Sequence, residues 1–108
     1  MPRAPSVAGK YRPVRYAMEN HVMGDAFMDW LIYIVECRDG SLYTGITNDL
    51  QKRIDSHNAG TGAKYTAARR PVRLVYREDA ASRSSASKRE ISIKRLTRKA
   101  KQALYLKP

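Results

Sequence analysis

Apolar positions along the chain gather into short extended runs and helical stripes, and their spacing sets an order of elements. Trp30 to Arg38 is apolar at nearly every position, with Trp30, Ile32 and Ile34 on one side and Leu31, Tyr33, Val35 and Cys37 on the other. A strand that has lost its alternation is covered on both faces, so this run is expected at the centre of a small sheet. Leu42 to Thr47 is its hairpin partner and carries Gly45, which inside a strand marks a bend or a close approach to the backbone. Asp39-Gly40 between the two runs predicts a two-residue type I′ turn, which needs positive φ at both central residues. In that hairpin, facing residues have numbers summing to about 79, so Tyr33 lies about three positions beyond a direct pairing with Tyr43. The two phenols meet only if the hairpin is longer or bulged.

Helical spacing follows. Leu50 and Ile54 share one face, and Arg53 and His57, at i and i+4, form a second row beside it. Thr47 or Asn48 supplies an N-cap oxygen, Asp49 suits the positive end of the helix dipole, and Asn58-Ala59-Gly60 closes the helix. Gly60 to Arg70 reads as a loop with two glycines. Pro71 to Arg77 alternates as a third strand, with Val72, Leu74 and Tyr76 on one side. Ser82 to Leu96 is a helix with Ala86, Glu90, Ile93 and Thr97 on one stripe, and Thr97 caps a last short helix from Arg98 to about Leu106. The expectation is one α/β domain of the α+β kind over 30–106, a three-stranded, mostly antiparallel sheet flanked by helices in the order ββαβαα. Residues 1–29 read as an arm, interrupted by Pro2, Pro5, Gly9 and Pro13. Two readings of it stay open: a flexible arm, or translation that begins at Met28.

Charge changes the picture most. The formal net charge of the 108 residues is +11, and from Ala81 to Pro108 nine Lys or Arg stand against one acid, Glu90. Such a balance implies an anionic partner, nucleic acid ahead of an anionic membrane. An apolar run of the ~18 residues of a spanning helix is absent, and 81–104 lacks the bulky aromatics that an interfacial helix buries. One cysteine excludes a disulfide framework, and two histidines with one cysteine draw no zinc cluster. The chain reads as a reduced, intracellular protein, with Cys37 a small hydrophobe. In the loop, Lys64, Tyr65, Arg69 and Arg70 interleave cations with an aromatic, as a phosphate-backbone track does. Glu90 shares a face with Ile93, and a carboxylate half-facing a core must be paired, here with Lys94 at i+4, or hold a cation.

Taken together, Tyr33, Tyr43-Thr44-Gly45, Arg53 and His57, the loop GAKYTAARRPVRLVYRE from Gly62 to Glu78, and SKREISIKRL from Ser87 to Leu96 form an ordered set. The set resembles the GIY-YIG nuclease superfamily, most closely its small stand-alone bacterial members, over Trp30 to about Leu104. The resemblance implies a Mg²⁺-dependent (or Mn²⁺-dependent) endonuclease in the bacterial cytoplasm, hydrolysing DNA in repair or processing. Selection by structure rather than sequence is expected, on branched, damaged or single-stranded DNA, with a partner protein as a further source of specificity; RNA stays open as a substrate. It places the metal on Glu90 and a phenolate general base at Tyr33 or Tyr43.

The chemistry is consistent with that assignment. Mg²⁺ keeps most of its waters and needs one or two protein carboxylates plus the substrate phosphate. Arg53 offers a planar fork to the scissile phosphate that Lys would not reproduce. A phenol, with pKa near 10, must be brought down by neighbouring positive charge, and Arg53 is the nearest source. His57 would orient the base or relay its proton, and Lys64 and Lys94 add phosphate contacts. Three positions depart from the superfamily pattern: Leu31 replaces the first-motif glycine, Ile46 stands where some relatives carry Lys, and no Asn follows Asn58. The last two favour an alternative, a nucleic-acid-binding module that keeps the fold without turnover.

Overall fold

A computed structural model describes residues 30–106; expectations that fall on 1–29 lie outside it. The elements are β1 (Trp30–Cys37), β2 (Leu42–Thr47), α1 (Leu50–Ala59), α2 (Lys64–Ala67), β3 (Val72–Ala80), α3 (Arg83–Lys94) and α4 (Arg98–Ala103). The order is ββααβαα, the expected one with an added short helix inside the loop. The sheet runs β2-β1-β3, antiparallel on both sides of β1. The run without alternation is therefore the central strand.

Two apolar layers explain why. Leu31, Tyr33, Val35 and Cys37 pack with Leu50, Val72 and Leu74 under α1, while Ile32 and Ile34 pack with Val75, Ala80, Ala86 and Ile93 under α3. Ile32, Tyr33, Ile34 and Val35 are all fully buried. Each such side chain contributes about 1.5–3 kcal/mol of transfer free energy, so β1 anchors both halves of the core.

The hairpin register corrects the expected two-residue turn. Cys37 N–H donates to Ser41 O and Gly40 N–H donates to Cys37 O, both at 2.8 Å, leaving a three-residue loop, Arg38-Asp39-Gly40. Gly40 alone takes the positive φ, 87°, as the last residue of a three-residue hairpin loop does. Tyr33 accordingly faces Gly45, and Tyr43 faces Val35. A one-residue change of register moves a side chain to the other face. Here it brings Tyr43 onto the Tyr33 face, a diagonal neighbour with ring centroids 6.5 Å apart.

A second irregularity corrects β3. Ile34 pairs with Tyr76 and Val35 with Leu74, so Val75 is an extra residue in the ladder. Val72 and Leu74 stay on the α1 side, while Tyr76 packs on the α3 side, not with them as expected. β3 also runs to Ala80, beyond the expected end at Arg77.

Caps hold the helices. Asp49, not Thr47 or Asn48, is the N-cap of α1 and accepts from Lys52 N–H at 3.2 Å; Thr47 Oγ1 accepts from Asp49 N–H. Gly60 ends α1 in the left-handed region at φ 88°. Asn58 donates to Val72 O and accepts from Val72 N–H at 3.0 and 2.7 Å, fastening α1 to the start of β3. Ser82 with Ser85 forms a capping box for α3, and Thr97 caps α4 as expected. Among the described residues no helix is long and apolar enough to cross a membrane.

Gly45 is set by packing, since a Cβ there would lie 2.5 Å from the Tyr33 hydroxyl and 2.7 Å from its ring. The Tyr33 side chain is thus the group that the strand glycine admits. Gly45→Ala is expected to destabilise the fold by about 1–3 kcal/mol, the usual cost of overpacking a core; urea unfolding measures it, and an unchanged midpoint would contradict this packing.

Candidate active site

The site grows from β1. Tyr33, fully buried, points its phenol at α1, where His57 Nε2 lies 2.8 Å from the hydroxyl and Arg53 Nε donates to it at 3.2 Å. The i, i+4 spacing on α1 delivers both partners to one oxygen. On its other side His57 Nδ1 meets Thr66 Oγ1 at 2.7 Å, and Thr66 donates its own proton to Ala63 O at 3.1 Å. That hydroxyl has a single proton, so at His57 it accepts from Nδ1–H. Nε2 then carries the lone pair, and the Tyr33 O–H donates to it. The order of donation runs from Tyr33 to His57 to Thr66 to a backbone carbonyl.

Burial sets the charges. His57 is wholly enclosed, and its pKa is lowered to about 4, by burial first and then by the Arg53 charge. It is a neutral imidazole at pH 7. Tyr33 is pushed up to about 12 because burial outweighs the lowering effect of Arg53; the charges of Tyr43 and Glu90 push the same way as burial. The expected lowering of a phenol by Arg53 is therefore reversed at Tyr33. Arg53 itself is raised, chiefly by its bond to Tyr33, with Tyr43 adding in the same direction.

Tyr43 is half-buried and closes the cluster from above. Its ring meets His57 edge-on at 5.2 Å and stacks on Tyr65 at 6.2 Å with a 23° tilt. Arg69 lies over the Tyr65 ring, 3.8 Å from its centroid. It donates to Tyr65 O at 2.8 Å and pairs with Asp39 at 3.2 Å, so the hairpin tip braces the stack.

Glu90 stands on α3, across the sheet, with its carboxylate 3.2 Å from Lys94. Its charge still acts on the Tyr33 phenol. The structure therefore brings together Tyr33, Tyr43, Arg53 and His57, with Tyr65 and Arg69 on their rim and Glu90 within electrostatic reach. Lys64 is exposed at the start of α2. Arg70, also exposed, is turned to Ala67 O at 2.8 Å, away from this cluster of contacts.

Sequence reasoning missed two residues here. Thr66 is fully buried and fixes the His57 tautomer. Gly62 lets the loop press on the imidazole, since a Cβ there would stand 2.6 Å from His57 Nδ1. A threonine and a glycine in a polar loop carry no signal of their own beyond a turn.

The family described as "GIY-YIG catalytic domain" matches residues 29–103. A UPF0213 protein of Desulfotalea psychrophila is 55% identical over 76 residues, covering 69% of each chain. A UPF0213 protein of Staphylococcus saprophyticus is 58% identical over 73 residues, 68% of this chain and 89% of its own. Among solved structures, the UPF0213 protein BH0048 of Bacillus halodurans shares 45% identity with a TM-score of 0.45, covering 69% of this chain and 80% of that one.

The depressed His57 fixes a pH dependence. Its folded pKa of about 4 lies below the ordinary 6.5, so the unfolded chain takes up the proton first as pH falls. The stability this group contributes is fully present above pH ~6.5 and is lost as pH drops toward ~4, by roughly 2–3 kcal/mol. Thermal midpoints measured over that range should fall, and His57→Gln, less stable throughout, should show a flatter decline. An equally steep decline in the variant would assign the dependence to other groups.

Proposed function

Since the chain belongs to the GIY-YIG family and has small UPF0213 proteins as relatives, we propose that it is a metal-dependent DNA endonuclease centred on Tyr33, Tyr43, Arg53, His57 and Glu90. A GIY-YIG domain is a nuclease domain, so nucleic acid is its substrate class. The observation that carries the reading is the convergence of two phenols, a guanidinium and a neutral imidazole from β1, β2 and α1.

The donor set fits a hard dication held mainly by water and substrate. Among the described residues no three His, Cys, Asp or Glu side chains cluster into a protein cage, and Mg²⁺ does not require one. Glu90, on α3, is the carboxylate this reading assigns to the metal; its partner Lys94 is half exposed, so the pair separates at little cost. Mg²⁺ or Mn²⁺ bound there would offset phosphate charge and lower the pKa of a bound water.

The chain's own residues divide the remaining work. Arg53 is anchored to Tyr33 through Nε and turns its guanidinium to the scissile phosphate, where a planar fork suits two oxygens. Tyr33, enclosed and protonated, holds Arg53 and His57 in place. Tyr43, half-buried at the opening, is the phenol that meets the attacking water. Tyr65, Arg69, Arg70, Lys64 and Lys94 steer the backbone, in keeping with the net charge of +11. The catalytic unit is 30–106. It acts on structured or single-stranded DNA in the bacterial cytoplasm, during repair or processing, with a partner protein as the source of any sequence preference.

Enclosure of Tyr33 and its pKa near 12 favour one other reading, a binding module without turnover. One assay separates them: flaps, forks, single strands and duplexes incubated with Mg²⁺, Mn²⁺ or chelator. The nuclease reading expects product only with metal, and Glu90→Gln slower by about 10²-fold or more with binding retained. No product from the parent on any substrate would leave the binding module, and undiminished cutting by Glu90→Gln would remove the metal from that residue.

A further inference from the structure

Beyond the catalytic cluster, the chain makes a cavity of about 410 Å³ at the hairpin end of the sheet, lined by Arg38, Asn58, Ala67, Ala68, Arg70 and Pro71. A second hollow of about 360 Å³ shares Arg38 and Pro71 with it. We propose that the Arg38–Arg70 cavity is a phosphate subsite, holding the backbone of the nucleic-acid strand that flanks the bond being cut. This rests on the nuclease reading for the identity of the strand, and on the cavity alone for the chemistry.

Arg70 is set in advance. Its Nε donates to Ala67 O at 2.8 Å, and its guanidinium lies against the bare backbone of Gly60, where a Cβ would come within 2.7 Å of Nη1. A fork held this way has less freedom to lose on binding than an ordinary surface arginine. Arg38 is held relative to it, because Arg38 N–H donates to Arg69 O at 2.9 Å and so joins the hairpin tip to the segment carrying Arg70.

The charge balance selects an anion. Arg69 is paired with Asp39 and Arg73 with Glu36; among the described residues no carboxylate pairs with Arg38 or Arg70. Both are exposed. The Asn58 amide in the wall is committed to both backbone groups of Val72, which leaves little for reading base edges. Two guanidinium groups around a shallow, polar hollow suit backbone phosphate, which two oxygens can engage from each fork.

Position selects the strand. Ala67 and Ala68, two and three residues after the Tyr65 that stacks on Tyr43, form one wall. A strand leaving the catalytic opening across Tyr65 passes into the cavity.

The test is binding without turnover. Full-length protein in chelator is titrated into a labelled oligonucleotide over a salt series, as parent, Arg38→Gln, Arg70→Gln and the double variant, with thermal melting to confirm folding and Arg83→Gln, beside Trp30 at the opposite end of the sheet from the hairpin, as a remote control. Each cavity variant is expected to raise Kd about 5–10-fold and to reduce the log–log salt slope by ~0.7–0.9, with the double variant losing about twice that slope. Arg70→Lys should recover part of the affinity, since charge returns without the fork. Affinity and slope unchanged in the double variant, or lowered no more than in Arg83→Gln, would overturn the subsite. Competition by a 5′-mononucleotide at low micromolar concentration would also overturn it, by assigning the cavity to a free nucleotide. If the parent cuts no DNA while these variants still weaken binding, the nuclease reading fails and the subsite stands.

Discussion

A phenol and an imidazole withdrawn from water are each costly alone, about 1–3 kcal/mol for every polar atom left unpaired. Tyr33 and His57 solve this for each other through one buried hydrogen bond of 2.8 Å. That bond joins the central strand to the first helix, and Thr66 extends it into the loop at 2.7 Å. Two glycines make room for it, Gly45 beneath the phenol and Gly62 beside the imidazole. The polar line crosses an otherwise apolar layer, so β1, α1 and the loop cannot shift separately without stranding a donor or an acceptor.

The same enclosure governs the electrostatics. In a chain with net charge +11, an imidazole and a phenol beside an arginine would be expected to respond mainly to that charge. Burial is the larger effect at Tyr33, and at His57 burial and Arg53 act together to keep the ring neutral. The site therefore consists of an inner pair fixed in its protonation and an outer pair, Tyr43 and Arg53, nearer to solvent. Positive charge is concentrated outside, where it is solvated and can meet phosphates at long range.

Bracing of the rim follows from the hairpin. Arg69 connects the Tyr65 ring to Asp39, and the Ser41 hydrogen bonds hold the Asp39 carboxyl below its usual range before Arg69 adds to the effect. As an exposed ion pair, Arg69–Asp39 contributes little to stability; its consequence is geometric, keeping the aromatic stack over the opening.

Much of this was legible in the chain itself. An unbroken apolar run in β1 required cover on both faces, and only the central place in a three-stranded sheet provides it. Spacing on α1 put Arg53 and His57 in one row, and Ala86, Ile93 and Thr97 carried their expected roles because helical periodicity and capping are local rules. What tertiary structure decided was parity and enclosure. Whether Tyr43 shares a face with Tyr33 depends on one residue in the hairpin loop, and whether Tyr76 faces α1 or α3 depends on one extra residue at Val75. Neither is marked by a distinctive local pattern, because both turn on how strands settle against their neighbours. The protonation of Tyr33 and His57, and the part played by Thr66, depend on which atoms exclude water around them, and that is fixed only once β1, α1 and the loop have closed on one another.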